Sequence, residues 1–367
     1  MDKYQDSYLT PSQLTLILVG SMIGIGVLTL PLDVIKYAKQ DGWISSALGA
    51  VYPLYFVLLA QYMHKKFPQQ NILILSKKYC GKFLGTILNL IFILFFLLIL
   101  TEVAGGMSNL LMIYMTPFLT LKKILITTLL MPAFVAYKGI KTLGRMSEVI
   151  FYLSLIVFFI PIAALKEGSI LNIMPVFGSG IISIIKSTKD TMLAYNGIEI
   201  LLLIYPFFKD NKKLKKCGIT SIIIAMIIYI WFTFISIFYL GIDIIPKFLW
   251  PIVTVAEAVT IPIINSFRYI FMSLWLMIMF RILSNCYYAF TFGLSELTKS
   301  VSRKSFVILM YPLIFYLSTL YQNPTIRRAF LGKVIPIYSL YNILYVGIIA
   351  LLITMKKGEK CEEKLQP

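Results

Sequence analysis

Apolar runs long enough to span a bilayer recur along the whole chain, and this recurrence limits the fold more than any other feature. Hydrocarbon offers no water to bond free backbone groups, so a crossing segment must satisfy them internally, as a helix. At about 20 apolar residues per crossing, ten runs are predicted, near 12–37, 43–63, 83–115, 123–138, 142–165, 181–208, 217–240, 267–294, 305–321 and 334–355. Of the 367 residues, 59% are hydrophobic and 14% charged, a balance foreign to soluble domains. The expected class is an all-α integral membrane protein. The segment 241–262 is apolar but interrupted by Pro246, Pro251 and Pro262, so it reads as a loop with a short interfacial helix.

Lysine and arginine total 34 against 16 acidic residues, a net charge of +18. In a soluble chain this excess would suggest nucleic acid. Here the basic residues sit in short loops between apolar runs, a pattern of membrane topology and anionic lipid headgroups. With the N-terminus cytoplasmic, the inner loops gather Lys65, Lys66, Lys77, Lys78 and Lys82, then Lys138, Lys141 and Arg145, then Lys209, Lys212, Lys213, Lys215 and Lys216. Lys299, Arg303 and Lys304 follow, and the tail adds Lys356, Lys357, Lys360 and Lys364. Both termini are therefore expected in the cytoplasm. The outer loop before the tenth run departs from the rule with Arg327, Arg328 and Lys333. Residues 1–6 lack the basic segment of a cleaved signal, so the first run should be retained. Cys80, Cys217, Cys286 and Cys361 are scattered and His64 is the sole histidine. No disulfide framework, metal site or cofactor is expected.

Within the first run, Gly20, Gly24, Gly26 and Pro31 interrupt an otherwise apolar stretch. Glycine weakens a helix by roughly 1 kcal/mol relative to alanine, so a break is predicted at Gly24–Gly26. Irregular backbone survives at membrane depth only where protein or a polar cavity satisfies it. Five runs precede the loop near 166–175 and five follow it, so the halves 1–170 and 171–367 start on opposite sides, the condition for an inverted repeat. The sixth run should then break as well, and Tyr195-Asn196-Gly197-Ile198-Glu199 lies near its middle, with Pro206 closing the second piece.

These breaks supply the candidate site. Amides at the start of a half-helix carry the positive end of a dipole, so Gly24, Ile25 and Gly26 suit a ligand carboxylate. Tight helix packing is the plainer explanation of the same glycines. Carbonyls around Tyr195, Asn196 and Gly197 suit an ammonium group. Glu199 would orient that ammonium, carry a proton or tie the break to a neighbour, unless it is a purely structural acid. Glu102 and Arg281 are the other deep charges, and each needs a partner; Arg281 is within the reach of either Glu102 or Glu199 on sequence grounds. Thr101, Asn285, Tyr287, Tyr288 and Thr291 offer pocket-lining hydroxyl and amide groups. Lys186, Lys189 and Asp190 share a helical spacing that would make one wet vestibule face, snorkelling being the simpler account. His64, beside Lys65 and Lys66, reads as an interfacial residue. No phosphate-cradling loop, nucleophile elbow or metal cluster appears, so an enzyme is the least supported class.

The Gly24-Ile25-Gly26-Val27-Leu28-Thr29-Leu30-Pro31 segment, the Tyr195-Asn196-Gly197-Ile198-Glu199 segment with Tyr205-Pro206-Phe207, and the ten-run layout resemble the GerB-type spore germination permeases. These are the B subunits of endospore germinant receptors, in the amino acid, polyamine and organocation superfamily. The resemblance implies a LeuT-type 5+5 inverted repeat with discontinuous helices 1 and 6, and a small germinant, commonly an amino acid. It also implies the spore inner membrane and partner A and C subunits, the latter a lipoprotein. Nucleic acid has no place in this reading. A free-standing amino acid or amine transporter is the alternative, and a ligand-free scaffold the third class.

Overall fold

A computed structural model describes residues 7–258 and 267–355, and among these there is no strand. Pro262, Cys361, residues 1–6 and the basic tail from Lys356 lie outside the described residues. The first pass is made of α1 (Pro11–Met22) and α2 (Ile25–Ala38), the second of α3 (Gly42–Leu48) and α4 (Val51–Lys66). After the short α5 (Ile72–Cys80) come α6 (Lys82–Tyr114), α7 (Leu121–Lys138) and α8 (Ile140–Phe159), the last prolonged by a 3-10 turn to Lys166. The sixth pass joins α9 (Ile181–Ala194) to a run of tight turns, Ile198–Phe207, that contains α10 (Leu201–Ile204). Then follow α11 (Leu214–Leu240), the short α12 (Pro251–Ala256), α13 (Arg268–Thr298), α14 (Arg303–Thr319) and α15 (Pro324–Met355). Grouped end to end these make the ten passes predicted. The side on which α1 begins is called the near side below, and the opposite one the far side.

Among the described residues, six stretches are individually long and apolar enough to cross a membrane, including Lys82–Tyr114, Leu214–Leu240 and Arg268–Thr298. A break divides the first and sixth passes, and α7 and α14 also lie outside these six stretches. Helix ends follow local chemistry. Thr10 and Gln13 form a reciprocal capping box at 3.2 Å, with Pro11 at the first helical position of α1. At α5, an element the apolar count does not predict, Asn71 Oδ1 accepts from the amides of Leu73 and Ile74, both at 3.1 Å.

Two expectations are corrected here. The tenth pass starts at Pro324 rather than near 334, because Asn323 Oδ1 caps the amides of Thr325 (2.8 Å) and Ile326 (3.1 Å) and proline occupies the first helical position. Arg327, Arg328 and Lys333 therefore belong to a helix and not to a loop. The segment after α11 does hold a short helix, but protein and not lipid or water covers α12: Pro251, Ile252, Val253, Val255 and Ala256 are all buried. Its apolar residues pack inward against α2, α11 and α13.

On the far side, Asp41 is fully buried between the first two passes. Its carboxylate accepts from the Phe177 amide (2.8 Å) and from both the amide (2.9 Å) and hydroxyl (2.7 Å) of Ser179. The link between the fifth and sixth passes is thereby pinned to the first. Asp41→Ala should cost about 2 kcal/mol, the scale of losing hydrogen bonds to a charged group, and should speed proteolysis within 169–180. Unchanged cleavage there would mean that the latch does not hold the loop.

Candidate functional site

The first break falls where glycine predicts it. α1 ends at Met22, Ile23 turns extended (φ −83°, ψ 109°), and Gly24 precedes α2 with φ −144° and ψ −154°. The second falls at Tyr195–Gly197, where Gly197 takes φ +108°, a left-handed conformation that disfavours any side chain. The two breaks touch. A Cβ placed on Gly197 would lie 2.1 Å from the Ser21 carbonyl oxygen, so backbone meets backbone between the passes. Tyr229 of α11 joins them as well: its hydroxyl lies 2.8 Å from the Met22 carbonyl and 2.7 Å from that of Ala194. One phenolic proton thus serves the C-terminal ends of both half-helices.

The side chains around the second break are packed against one another. Glu199, fully buried, accepts from the Gly197 amide at 2.7 Å and from the Tyr52 hydroxyl of α4, and Asn342 Nδ2 of α15 approaches at 3.5 Å. Asn196 Oδ1 accepts from Ser339 at 3.0 Å, and the Tyr195 hydroxyl donates to the Ser46 carbonyl at 2.9 Å. Of the roles open to Glu199, the geometry is that of a tie between the break, α4 and α15. Of the carbonyls at this break, that of Ala194 already takes the Tyr229 hydroxyl and that of Gly197 takes the Ile200 amide at 3.2 Å.

A cavity of 570 Å³ lies farther out, between α2, α9, the start of α15 and the turn at Leu249 and Trp250. Ile25 and Gly26 form part of its wall, and so do Glu102, Lys189 and Asp190. Gly26 is exposed to it, and a Cβ there would meet no atom within 4 Å. Gly24 instead faces Ile282, whose Cδ1 would sit 2.9 Å from an added Cβ. The remaining candidates are not on the cavity wall. The hydroxyl of Thr101 bonds the Leu97 carbonyl of its own helix at 2.9 Å. Tyr287 donates to the Val307 carbonyl and Thr291 to that of Tyr287, each at 2.8 Å. Lys186 is exposed away from the wall.

The charge network also differs from the expected one. Arg281 pairs with neither Glu102 nor Glu199; Glu102 Oε2 accepts from Arg327 Nη1 at 2.7 Å, with the two side chains 9% and 6% exposed. Asp33 takes Arg328 and, at 2.9 Å, Lys36. Both arginines line the cavity together with Asp33 and Asp190. Sequence reasoning missed Arg327 and Arg328 because it began the helix too late, although the Asn323-Pro324 start signal was legible. His64, in the last turn of α4, is 1% exposed, with its ring 5.5 Å from that of Tyr205, because the end of α4 packs on the end of the sixth pass. Among the described residues, no group of three or more His, Cys, Asp or Glu side chains is placed to hold a metal.

Ten passes with two broken helices in contact is a specific architecture, and comparison with known proteins identifies its bearer. A family model described as "Spore germination protein" matches residues 8–327. The chain belongs to the spore germination protein family. Among its relatives, the spore germination protein YndE of Bacillus subtilis (strain 168) is 27% identical over 361 residues, covering 96% of this chain and 99% of the relative. Spore germination protein B2 of the same organism is 26% identical, covering 83% and 88%. Spore germination protein GerQB of Bacillus cereus is 21% identical, covering 86% and 87%. The GerB-type likeness read from the two breaks therefore holds. Among solved structures, MhsT in complex with L-phenylalanine superposes with a TM-score of 0.68 at 12% identity, over 95% of this chain and 89% of that one. A substrate-bound, outward-open Na+-coupled sialic acid symporter gives 0.67 at 10% identity, over 96% and 80%. At such identities the likeness concerns fold alone, and the fold of this germination protein is LeuT-type.

Proposed function

We propose that this chain is the B-type subunit of a germinant receptor that binds a zwitterionic amino acid in the far-side cavity and signals through partner A and C subunits. Its place is the spore inner membrane, with both termini cytoplasmic, and the halves 1–170 and 171–367 form the two inverted repeats. The observation that carries the reading is the cavity itself. Its volume falls in the range of small-molecule sites, roughly 300–1,000 Å³, and its wall combines both signs of charge with an apolar lining. The first turn of α2, at Ile25 and Gly26, offers helix-start amides to the ligand carboxylate, next to the Arg327 guanidinium. Asp190 has no ion pair among the described residues and faces the same space, so it receives the ammonium group, near Asp33. Leu193, Ile335 and Trp250 cover the ligand side chain. An amino acid bound in a neighbour of the same fold adds support.

The test is Gly26→Leu, measured by binding of labelled amino acids to purified protein and by the germination response of spores that carry it. The added side chain enters open space, so folding and partner assembly should persist while binding falls at least about tenfold. Unaltered binding would remove the cavity from the ligand path. A transporter acting alone is the second reading, favoured by the transport proteins that share the fold. Net uptake of labelled amino acid into vesicles holding this protein by itself would put it first.

A further inference from the structure

A helix that stops inside a membrane leaves carbonyls at its C-terminal end, where the macrodipole is negative and a cation is favoured. Broken-helix transporters commonly place Na+ or a proton at such ends, and a Na+-coupled symporter shares this fold. The C-terminal end of α1, at Gly20–Met22, is where this chain would hold such a cation. Its donors do not fit one. Of the carbonyls at the two half-helix ends, those of Met22 and Ala194 share the Tyr229 hydroxyl. Ser21 Oγ receives a hydrogen bond from Asn285 Nδ2 at 2.8 Å and itself donates to Ile17. Of the side chains there, Asn285 Oδ1 is the one oxygen buried without a partner, and no carboxylate among the described residues joins it.

A fixed positive charge occupies that place. Arg281 of α13 is 1% exposed and lies across the last turn of α1: a Cβ on Gly20 would fall 2.8 Å from its Nε and 3.2 Å from its Cζ. Only the missing side chain at Gly20 allows this approach. No carboxylate pairs with Arg281 among the described residues, since Glu102 is taken by Arg327 and Glu199 by Tyr52 and the Gly197 amide. Its Nε and Nη1 have no hydrogen-bond partner, and its Cζ stands 5.7 Å from the centre of the Phe151 ring of α8. One turn along α13, Asn285 donates to the Ile17 carbonyl at 3.0 Å, which holds the arginine in register with α1.

We infer that Arg281 is a tethered cation that replaces a mobile monovalent cation at the inner end of the broken first pass, joining α1, α8 and α13 without Na+. An unpaired guanidinium is retained there because the negative helix end and the ring face together stabilise it, and its charge repels a second cation. The inference does not depend on which ligand the far-side cavity takes.

Thermal unfolding of the purified full chain tests it, in NaCl, KCl and choline chloride at equal ionic strength. The native protein should unfold at the same temperature in all three. Arg281→Ala should unfold at lower temperature and regain a few degrees when NaCl or methylguanidinium replaces choline, as ligand linkage requires. If Arg281→Ala does not fold, Arg281→Met supplies the same comparison with more of the side-chain volume kept. A native protein that Na+ stabilises over choline overturns the inference. A variant destabilised equally in all salts, with no recovery in methylguanidinium, overturns it as well, because it would leave only packing.

Discussion

Arg327→Met is expected to destabilise the protein by about 3–5 kcal/mol, the cost of stripping one partner from a buried ion pair. Arg327 and Glu102 are 6% and 9% exposed and bond at 2.7 Å, and the same Nη1 also reaches the Glu102 backbone carbonyl at 3.2 Å. Gly106 is shaped around the pair: a Cβ there would lie 2.2 Å from Nη1. With the cation gone, the carboxylate stays at membrane depth without compensation. Removing both charges together, as in Glu102→Leu with Arg327→Met, should recover most of the loss, since the attraction in such pairs roughly offsets their desolvation. The double-mutant cycle is read from unfolding midpoints of purified protein. A single variant as stable as the native chain would mean that the pair does not hold α6 to α15. Because both residues line the cavity, the single variant should also weaken amino acid binding if the proposed site is right.

Gly197→Ala is expected to abolish the folded state. At φ +108° an alanine is strained by itself, by about 1–2 kcal/mol, and its Cβ would stand 2.1 Å from the Ser21 carbonyl oxygen and 2.8 Å from the carbonyl carbon. Neither atom is a flexible side chain, so the two broken passes would have to separate. Gly180 is the control: it has φ +80° but nothing within 4 Å of an added Cβ, so Gly180→Ala should show the backbone cost alone. Yield of monodisperse protein and unfolding temperature distinguish them. Equal behaviour of the two variants would mean that contact between the breaks is not required.

The two glycine-marked breaks were legible because their causes are local. Gly24, Gly26 and Gly197 weaken helices wherever they occur, and an apolar run of fixed length reports a crossing whatever surrounds it. Helix-start chemistry at Asn323-Pro324 is equally local, but an apolar count begins the tenth pass only after the charges at Arg327, Arg328 and Lys333. The candidate site was legible only in part. Ile25 and Gly26 line the cavity and Glu102 joins them, whereas Gly24, Thr101, Tyr195, Asn196, Gly197, Glu199, Tyr287 and Thr291 do not. Most of these have side chains or backbone committed to neighbouring carbonyls, amides or packing, which no spacing along the chain reveals.

By itself the sequence determined that the chain is a helical membrane protein with ten passes and that the first and sixth are interrupted, since apolarity and glycine act within a few residues of themselves. Tertiary structure alone decided which charge answers which. Glu102 and Arg327 stand 225 positions apart, and Tyr229 reaches carbonyls of two separate passes. Such pairings depend on the distances between packed helices, and buried polar groups take whichever partner packing brings within hydrogen-bond reach. Packing also moved the open space outward from the breaks, because Tyr52, Tyr229 and Asn342 fill the interior around them.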